Sequence, residues 1–148
     1  GQQSLGFSSR TATMLRRNHI SYLMQNYGLV DTETVEYNLA ISARFKKLSK
    51  AQKKLLFSSA LEQIGLPGYE KRKIYTLSGG EQQRVALAKI IVKSPQLILA
   101  DDPTGSLDAR NRDTVLAALR HFNEEGKAIV VVTHDPTVNA CAKKHIHL

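Results

Sequence analysis

Two adjacent carboxylates, Asp101 and Asp102, close the apolar run Leu97-Ile98-Leu99-Ala100. Paired acids at the end of a buried strand suit phosphate chemistry. The first can serve a hard divalent cation, usually through water, and the second can orient or deprotonate an attacking water. The same residues also fit a strand that runs into a polar turn, because Pro103 and Gly105 follow. Taken alone, that is the simpler reading. A second candidate is Leu77-Ser78-Gly79-Gly80-Glu81. Ser78 and Glu81 have the spacing of a capping box at a helix start. A cap does not account for Gly79 and Gly80, each of which weakens a helical turn by about 1 kcal/mol relative to alanine. Glycines there let a ligand reach bare N–H groups at the positive end of a helix, which describes a phosphate site. The spacing alone leaves both open. Gln25 and His134 complete the set, each just past an apolar run.

Hydrophobic spacing outlines the elements that must position these groups. Residues 19–24 read as a short strand rich in β-formers that ends at Gln25. Thr34 caps a helix expected over 34–47, with Val35, Leu39, Ile41 and Phe45 as its apolar side. A second helix starts near Ser49, carries Leu55, Leu56, Ala60, Leu61 and Ile64, and ends at Gly65, Pro67 and Gly68. Helix and strand then alternate: a helix over 78–92, a strand over 96–100, a helix capped by Asp108 and a strand over 128–133. The Asp108 helix turns Val115, Leu116, Leu119 and Phe122 inward and closes at Gly126. Continuous apolar strands between helices imply an α/β fold whose parallel sheet is covered on both faces. Ligands bind such sheets at the carboxyl ends of the strands, where Gln25, Asp101, Asp102 and His134 all fall.

A chain of 148 residues with 42% hydrophobic and 23% charged residues suits one soluble domain. Tryptophan is absent and aromatics make up 6%, which argues against a base-stacking nucleic-acid module. The single cysteine, Cys141, excludes an internal disulfide and a cysteine-rich zinc site, and reads as a small buried hydrophobe. The net charge of +8 is spread along the chain, as a solvated basic surface would be, and singles out no groove. No run approaches the ~18 apolar residues of a membrane span, and residues 1–10 lack the pattern of a signal peptide.

Taken in order, these segments resemble the ATPase domains of the ABC family. Gln25 matches the Q-loop glutamine, Leu77 to Glu81 the signature, and Leu97 to Asp101 the Walker B strand. Ser106-Leu107-Asp108 matches the D-loop, and His134 in Val131-Val132-Thr133-His134-Asp135 the H-loop histidine. The phrase from Asp101 to Asp108, and the stretch from Leu15-Arg16-Arg17 to Gln25-Asn26-Tyr27, further resemble exporters of lipoproteins, macrolides and antimicrobial peptides.

The resemblance implies a truncated P-loop NTPase, a RecA-like parallel sheet with flanking helices, joined to an ABC α-helical subdomain. Residues 1–148 would form a partial nucleotide-binding domain. About 30–85 would be the helical signature subdomain, and about 15–29 and 86–148 the remainder of the catalytic core. Two such domains would pair head to tail around ATP and Mg2+. Ser78, Gly79, Gly80 and Glu81 would meet the nucleotide of the partner copy, and Asp101 and Gln25 would serve Mg2+. Asp102, His134 and Gln25 would be catalytic, and Ser106 and Asp108 would carry information across the pair. Gln25 and the helices that follow would speak to a membrane permease, which would hold the protein on the cytoplasmic face of the membrane. No nucleic-acid partner is expected.

Departures from the family pattern matter as much. There is no G-x-x-x-x-G-K-[ST]; the only Gly-Lys pair, Gly126-Lys127, is followed by Ala128, with His121 where the first glycine belongs. In the family that loop lies upstream of the Q-loop, so the chain is expected to lack an N-terminal portion, with Gly1 as a tag remnant, and to be inactive alone. The strand over 128–133 should then have an open edge, through which copies of the chain could pair. Asp102 stands where the family usually has glutamate. A DNA-repair or chromosome-maintenance ATPase is the rival within the family, but those proteins insert a coiled coil or zinc modules where this chain has short helices and no cysteine. Asp102 also leaves room for a catalytically weak regulatory module. A basic nucleic-acid-binding domain rests on charge alone.

Overall fold

The apolar runs at 20–23, 97–101 and 128–132 become neighbouring strands of one parallel sheet. The computed structural model describes residues 9–105 and 108–140. Its sheet has the order β1 (Ile20–Leu23), β2 (Leu97–Asp101), β3 (Ala128–Val132). The register sets Leu23 beside Ala100 and Ala100 beside Val131. Parallel neighbours need crossover connections. These are supplied by α2 (Val35–Ser42), α3 (Lys50–Gln63) and α4 (Gly79–Lys93) after β1, and by α5 (Ala109–Glu124) after β2. A helix α1 (Ser9–Asn18) precedes β1, and a short α6 (Pro136–Asn139) follows β3. This is the α/β architecture expected.

Alternation along the strands separates two faces. Ser21, Leu23, Ile98 and Ala100 are buried and Ile129 and Val131 half-buried, under α4 and α5. The opposite face carries Tyr22, Val130 and Val132, which are 51%, 53% and 55% exposed. The expected cover on both faces is therefore corrected: among the described residues, one face is covered. β3 pairs with β2 alone among the described strands, so among the described residues its outer edge is open, as expected.

The helical layer differs in detail from its hydrophobic pattern. Thr34 caps α2, its hydroxyl accepting the Tyr37 N–H at 3.1 Å, but the helix ends at Ser42 rather than 47. Val35 and Leu39 are fully buried, whereas Ile41 on the outer side of α2 and Phe45 beyond its end are 45% and 51% exposed. In α3 the inward stripe is Phe57, Ala60 and Leu61, followed by Ile64; Leu55 points to solvent, 73% exposed. Ser49 and Gln52 close a complete capping box at its start. Replacing that hydroxyl by Ser49→Ala is expected to lower unfolding free energy by about 1 kcal/mol, read from a denaturant midpoint.

α4 holds the layers together. It packs against α2 and α3 on one side and against β1 and α5 on the other. Gln83, Val85, Ala86, Leu87, Ala88, Ile90 and Val92 are all buried, as a helix enclosed on most sides requires. Ser94 stops it in the left-handed conformation, φ 51°. Among the described residues, no helix is long and apolar enough to cross a membrane.

Candidate functional site

The parallel register delivers Gln25, Asp101, Asp102 and His134 to the same edge of the sheet, one to three residues beyond the aligned Leu23, Ala100 and Val131. The two adjacent acids then diverge. Asp101 pairs with Val132 through the strand ladder, while its exposed side chain makes no hydrogen bond or ion pair to the described residues. Asp102 is half-buried in a left-handed turn, φ 39°. Its N–H donates to the Val132 carbonyl at 2.7 Å, and its Oδ1 accepts from the Thr133 hydroxyl at 3.3 Å. Its Oδ2 lies over Gly105, only 2.1 Å from where a β-carbon would stand. Thr133 also accepts the Asp135 N–H at 3.0 Å, and Asp135 accepts from the buried Thr104 hydroxyl at 3.1 Å. Asp135 is held below the usual carboxylate range, chiefly by the Thr137 N–H. Sequence reasoning gives Thr104, Thr133 and Asp135 no role beyond that of motif neighbours; hydroxyls and a carboxylate flanking the strand ends are the signal.

At the start of α4 the capping box is real. The Ser78 hydroxyl accepts the Glu81 N–H at 3.3 Å, and Glu81 Oε2 accepts the Ser78 N–H at 2.8 Å. Glu81 Oε1 accepts the Tyr69 hydroxyl at 2.9 Å, and Arg72 lies 4.5 Å over the Tyr69 ring. The Ser78 N–H first, then the Tyr69 hydroxyl, hold the Glu81 carboxyl below its ordinary 4.5. A depressed folded value stabilises the protein above the unfolded pKa, and that stabilisation is lost as pH falls through the folded one. Stability is thus expected to drop less below pH 4.5 in Glu81→Gln than in the parent, measured by denaturant midpoints across that range.

The adjoining glycines have neighbours on two sides. A β-carbon on Gly79 would sit 3.7 Å from the Tyr27 hydroxyl, and one on Gly80 would sit 2.4 Å from Asn111 Oδ1. Asp108 caps α5, its carboxylate accepting the Asn111 N–H at 2.9 Å and the Asn111 amide at 2.7 Å. Those two bonds, the backbone one foremost, hold the Asp108 carboxyl low. Ser106 lies outside the described residues, as does Cys141.

Other contacts tie the site to its supports. The buried Gln83 donates to the Pro103 carbonyl at 2.6 Å, joining α4 to the turn after β2. Lys89 donates to Gly28 at 2.6 Å, fastening the loop that begins at Gln25 to the same helix. Burial, and then the Lys93 charge, push the Lys89 ammonium below its usual value. Beside this loop a cleft of about 520 Å³ is lined by Arg16, Arg17, Tyr22, Phe45, Lys89 and Lys93, with the Arg17 guanidinium 3.8 Å over the Phe45 ring.

Among the described residues no cluster of three or more His, Cys, Asp or Glu could cage a metal. The exposed side chain of Asp101 could instead hold Mg2+ as a single carboxylate, the remaining ligands coming from outside the described residues.

A sequence profile of the family described as ABC transporter matches residues 3–105. The macrolide export ATP-binding/permease protein MacB of Shigella flexneri is 35% identical over 148 residues, 100% of this chain and 23% of that protein. MacB of Photorhabdus laumondii is 36% identical over 151 residues, with the same shares of 100% and 23%. The chain thus spans under a quarter of the length of these curated relatives. Among solved structures, the dimeric post-hydrolysis state of the ATP-binding cassette MJ0796 bound to ADP and Pi superposes with a TM-score of 0.78 at 32% identity, over 90% of this chain and 60% of that one. CbiO1 of Clostridium perfringens, part of the complex cbiONQ, gives 0.74 at 25% identity, over 86% and 51%.

Proposed function

Because this chain belongs to the ABC transporter family, we propose that it is part of the ATP-hydrolysing motor of an exporter for peptides, lipoproteins or drug-like molecules. The observation that carries this reading is the delivery of Gln25, Asp101, Asp102 and His134 to one sheet edge, with Ser78 to Glu81 at a separate capped helix start. Two such groups suit a nucleotide shared between two copies, one offering the strand ends and the other the helix. Residues 30–85 act as the helical signature subdomain, and 15–29 with 86–148 as the rest of the core.

Bound MgATP supplies the phosphoryl group to be transferred and the divalent charge that neutralises it. Asp101 would hold the cation, with Gln25 at the same edge placed to sense it. Asp102 and Gln25 orient the attacking water, and His134 meets the terminal phosphate. Ser78, Gly79, Gly80 and Glu81 present the positive helix end to the nucleotide of the other copy, while Asp108, with Ser106 of the same motif, would carry information across the pair. Support for pairing comes from MJ0796, whose cassette is described as a dimer. Support for a permease comes from the MacB relatives, named as ATP-binding/permease proteins. The basic, aromatic cleft beside the Gln25 loop is where we dock it, with the chain on the cytoplasmic side of the membrane.

Residues 1–148 contain no phosphate-gripping loop, and alone they are expected to bind no MgATP. Titration calorimetry on this chain tests that; tight stoichiometric binding would reveal an unrecognised phosphate site. The open β3 edge also gives isolated copies a means to self-associate, and a monomeric mass by light scattering at high concentration would count against it. The function itself is tested by ATP turnover of the native protein with and without its membrane partner. Absence of turnover in both would favour a regulatory module, the reading that Asp102 keeps open.

A further inference from the structure

We infer that Asn111 is a positioning residue that ties the start of α5 to the start of α4, and that Gly80 is glycine because it must admit that side chain. The inference rests on the proposal that Ser78 to Glu81 meets a nucleotide while Asp108 carries information across the pair. A β-carbon at Gly80 would lie 2.4 Å from Asn111 Oδ1 and 2.5 Å from both its Cγ and Nδ2. The whole amide group therefore rests on the bare Cα of Gly80. The amide is also fixed from its own helix, Nδ2 donating to Asp108 Oδ2 at 2.7 Å. It cannot swing away from Gly80 without breaking its bond to Asp108. On the neighbouring residue, a β-carbon at Gly79 would stand 3.7 Å from the Tyr27 hydroxyl, an ordinary contact distance. The first turn of α4 thus abuts, through Asn111, the helix that Asp108 caps, and a shift of Asp108 is passed to that turn.

The test is a double-mutant cycle in the native protein, read as kcat and KM for ATP. Asn111→Ala removes all three atoms that crowd Gly80 and is expected to lower kcat about tenfold with KM changed by less than about twofold, as loss of alignment rather than of binding requires. Gly80→Ala alone should lower kcat further, because its methyl displaces the Asn111 amide and frees Asp108. In the Asn111→Ala background the same methyl meets no amide, so its additional loss should be clearly smaller than in the parent, the remainder being what the ligand's approach to Gly80 requires. If Gly80→Ala is as damaging there as in the parent, glycine is required for the ligand alone and the inference fails. A parent-like kcat for Asn111→Ala sinks it too, and that variant stays informative even if Gly80→Ala does not fold. Ser78→Asp tests the premise separately: it keeps an N-cap acceptor but sets a negative charge toward phosphate, and should abolish most turnover. Parent-like turnover in that variant would remove the signature reading itself.

Discussion

Asp102→Glu in the native protein is expected to raise ATP turnover by up to about a hundredfold, the scale that a misplacement of about 1 Å commands in a catalytic group. Asp102 occupies the position where a water-orienting carboxylate is proposed, yet its side chain folds back on the backbone. One oxygen takes the Thr133 hydroxyl and the other lies over Gly105. An added methylene carries the carboxylate beyond that glycine. The exchange has a structural cost, because φ at this residue is 39° and short Asp tolerates left-handed backbone better than Glu. Stability should fall by about 1 kcal/mol as activity rises. Steady-state ATPase rates paired with thermal midpoints read both effects. Unchanged or lower turnover would mean that aspartate is already well placed and that this enzyme works with the shorter arm.

Leu87→Ala should lower the unfolding free energy by about 3 to 4 kcal/mol. Leu87 is fully buried in the middle of α4, the helix shared by the α2 and α3 layer and the sheet. Truncation leaves a cavity whose walls belong to a close-packed core and can relax only in part. Leu55→Ala is the matched control: the same chemistry at a site 73% exposed should change stability by less than about 0.5 kcal/mol. Guanidinium melts of both variants test the contrast, and a loss below about 1 kcal/mol for Leu87→Ala would show that α4 does not join the layers as its burial indicates.

Much of the scaffold can be read locally. Val115, Leu119 and Phe122 recur at helical spacing and do face inward, and Ser78 with Glu81 writes a capping box that the fold builds in full. What local pattern cannot hold is tertiary choice. Ala128 to Val132 is apolar at every position, so its sequence does not say which alternate residues meet helices and which remain open. Phe45 continues a helical stripe, but the chain turns after Ser42 and leaves it in a cleft. The glycine of residue 80 is legible as a weak point in a helix, whereas the amide that occupies its empty side comes from a different helix. Likewise the unequal surroundings of Asp101 and Asp102 arise from a left-handed turn and a threonine on the adjacent strand end, neither of which adjacent carboxylates announce.

The enclosed helix α4 is also a lever. Its 15 residues make a rod of about 22 Å, stiffened by the side chains packed along it. One end carries the turn proposed to meet the nucleotide. Near the other, Lys93 grips the carbonyls of Arg16 and Ile20 beside the basic cleft. A tilt of about 5° pivoting on the first turn displaces the last by about 2 Å, by the geometry of a rod that long. Motion at a phosphate would thus arrive at the far surface as a shove with a defined direction, without any loop having to melt.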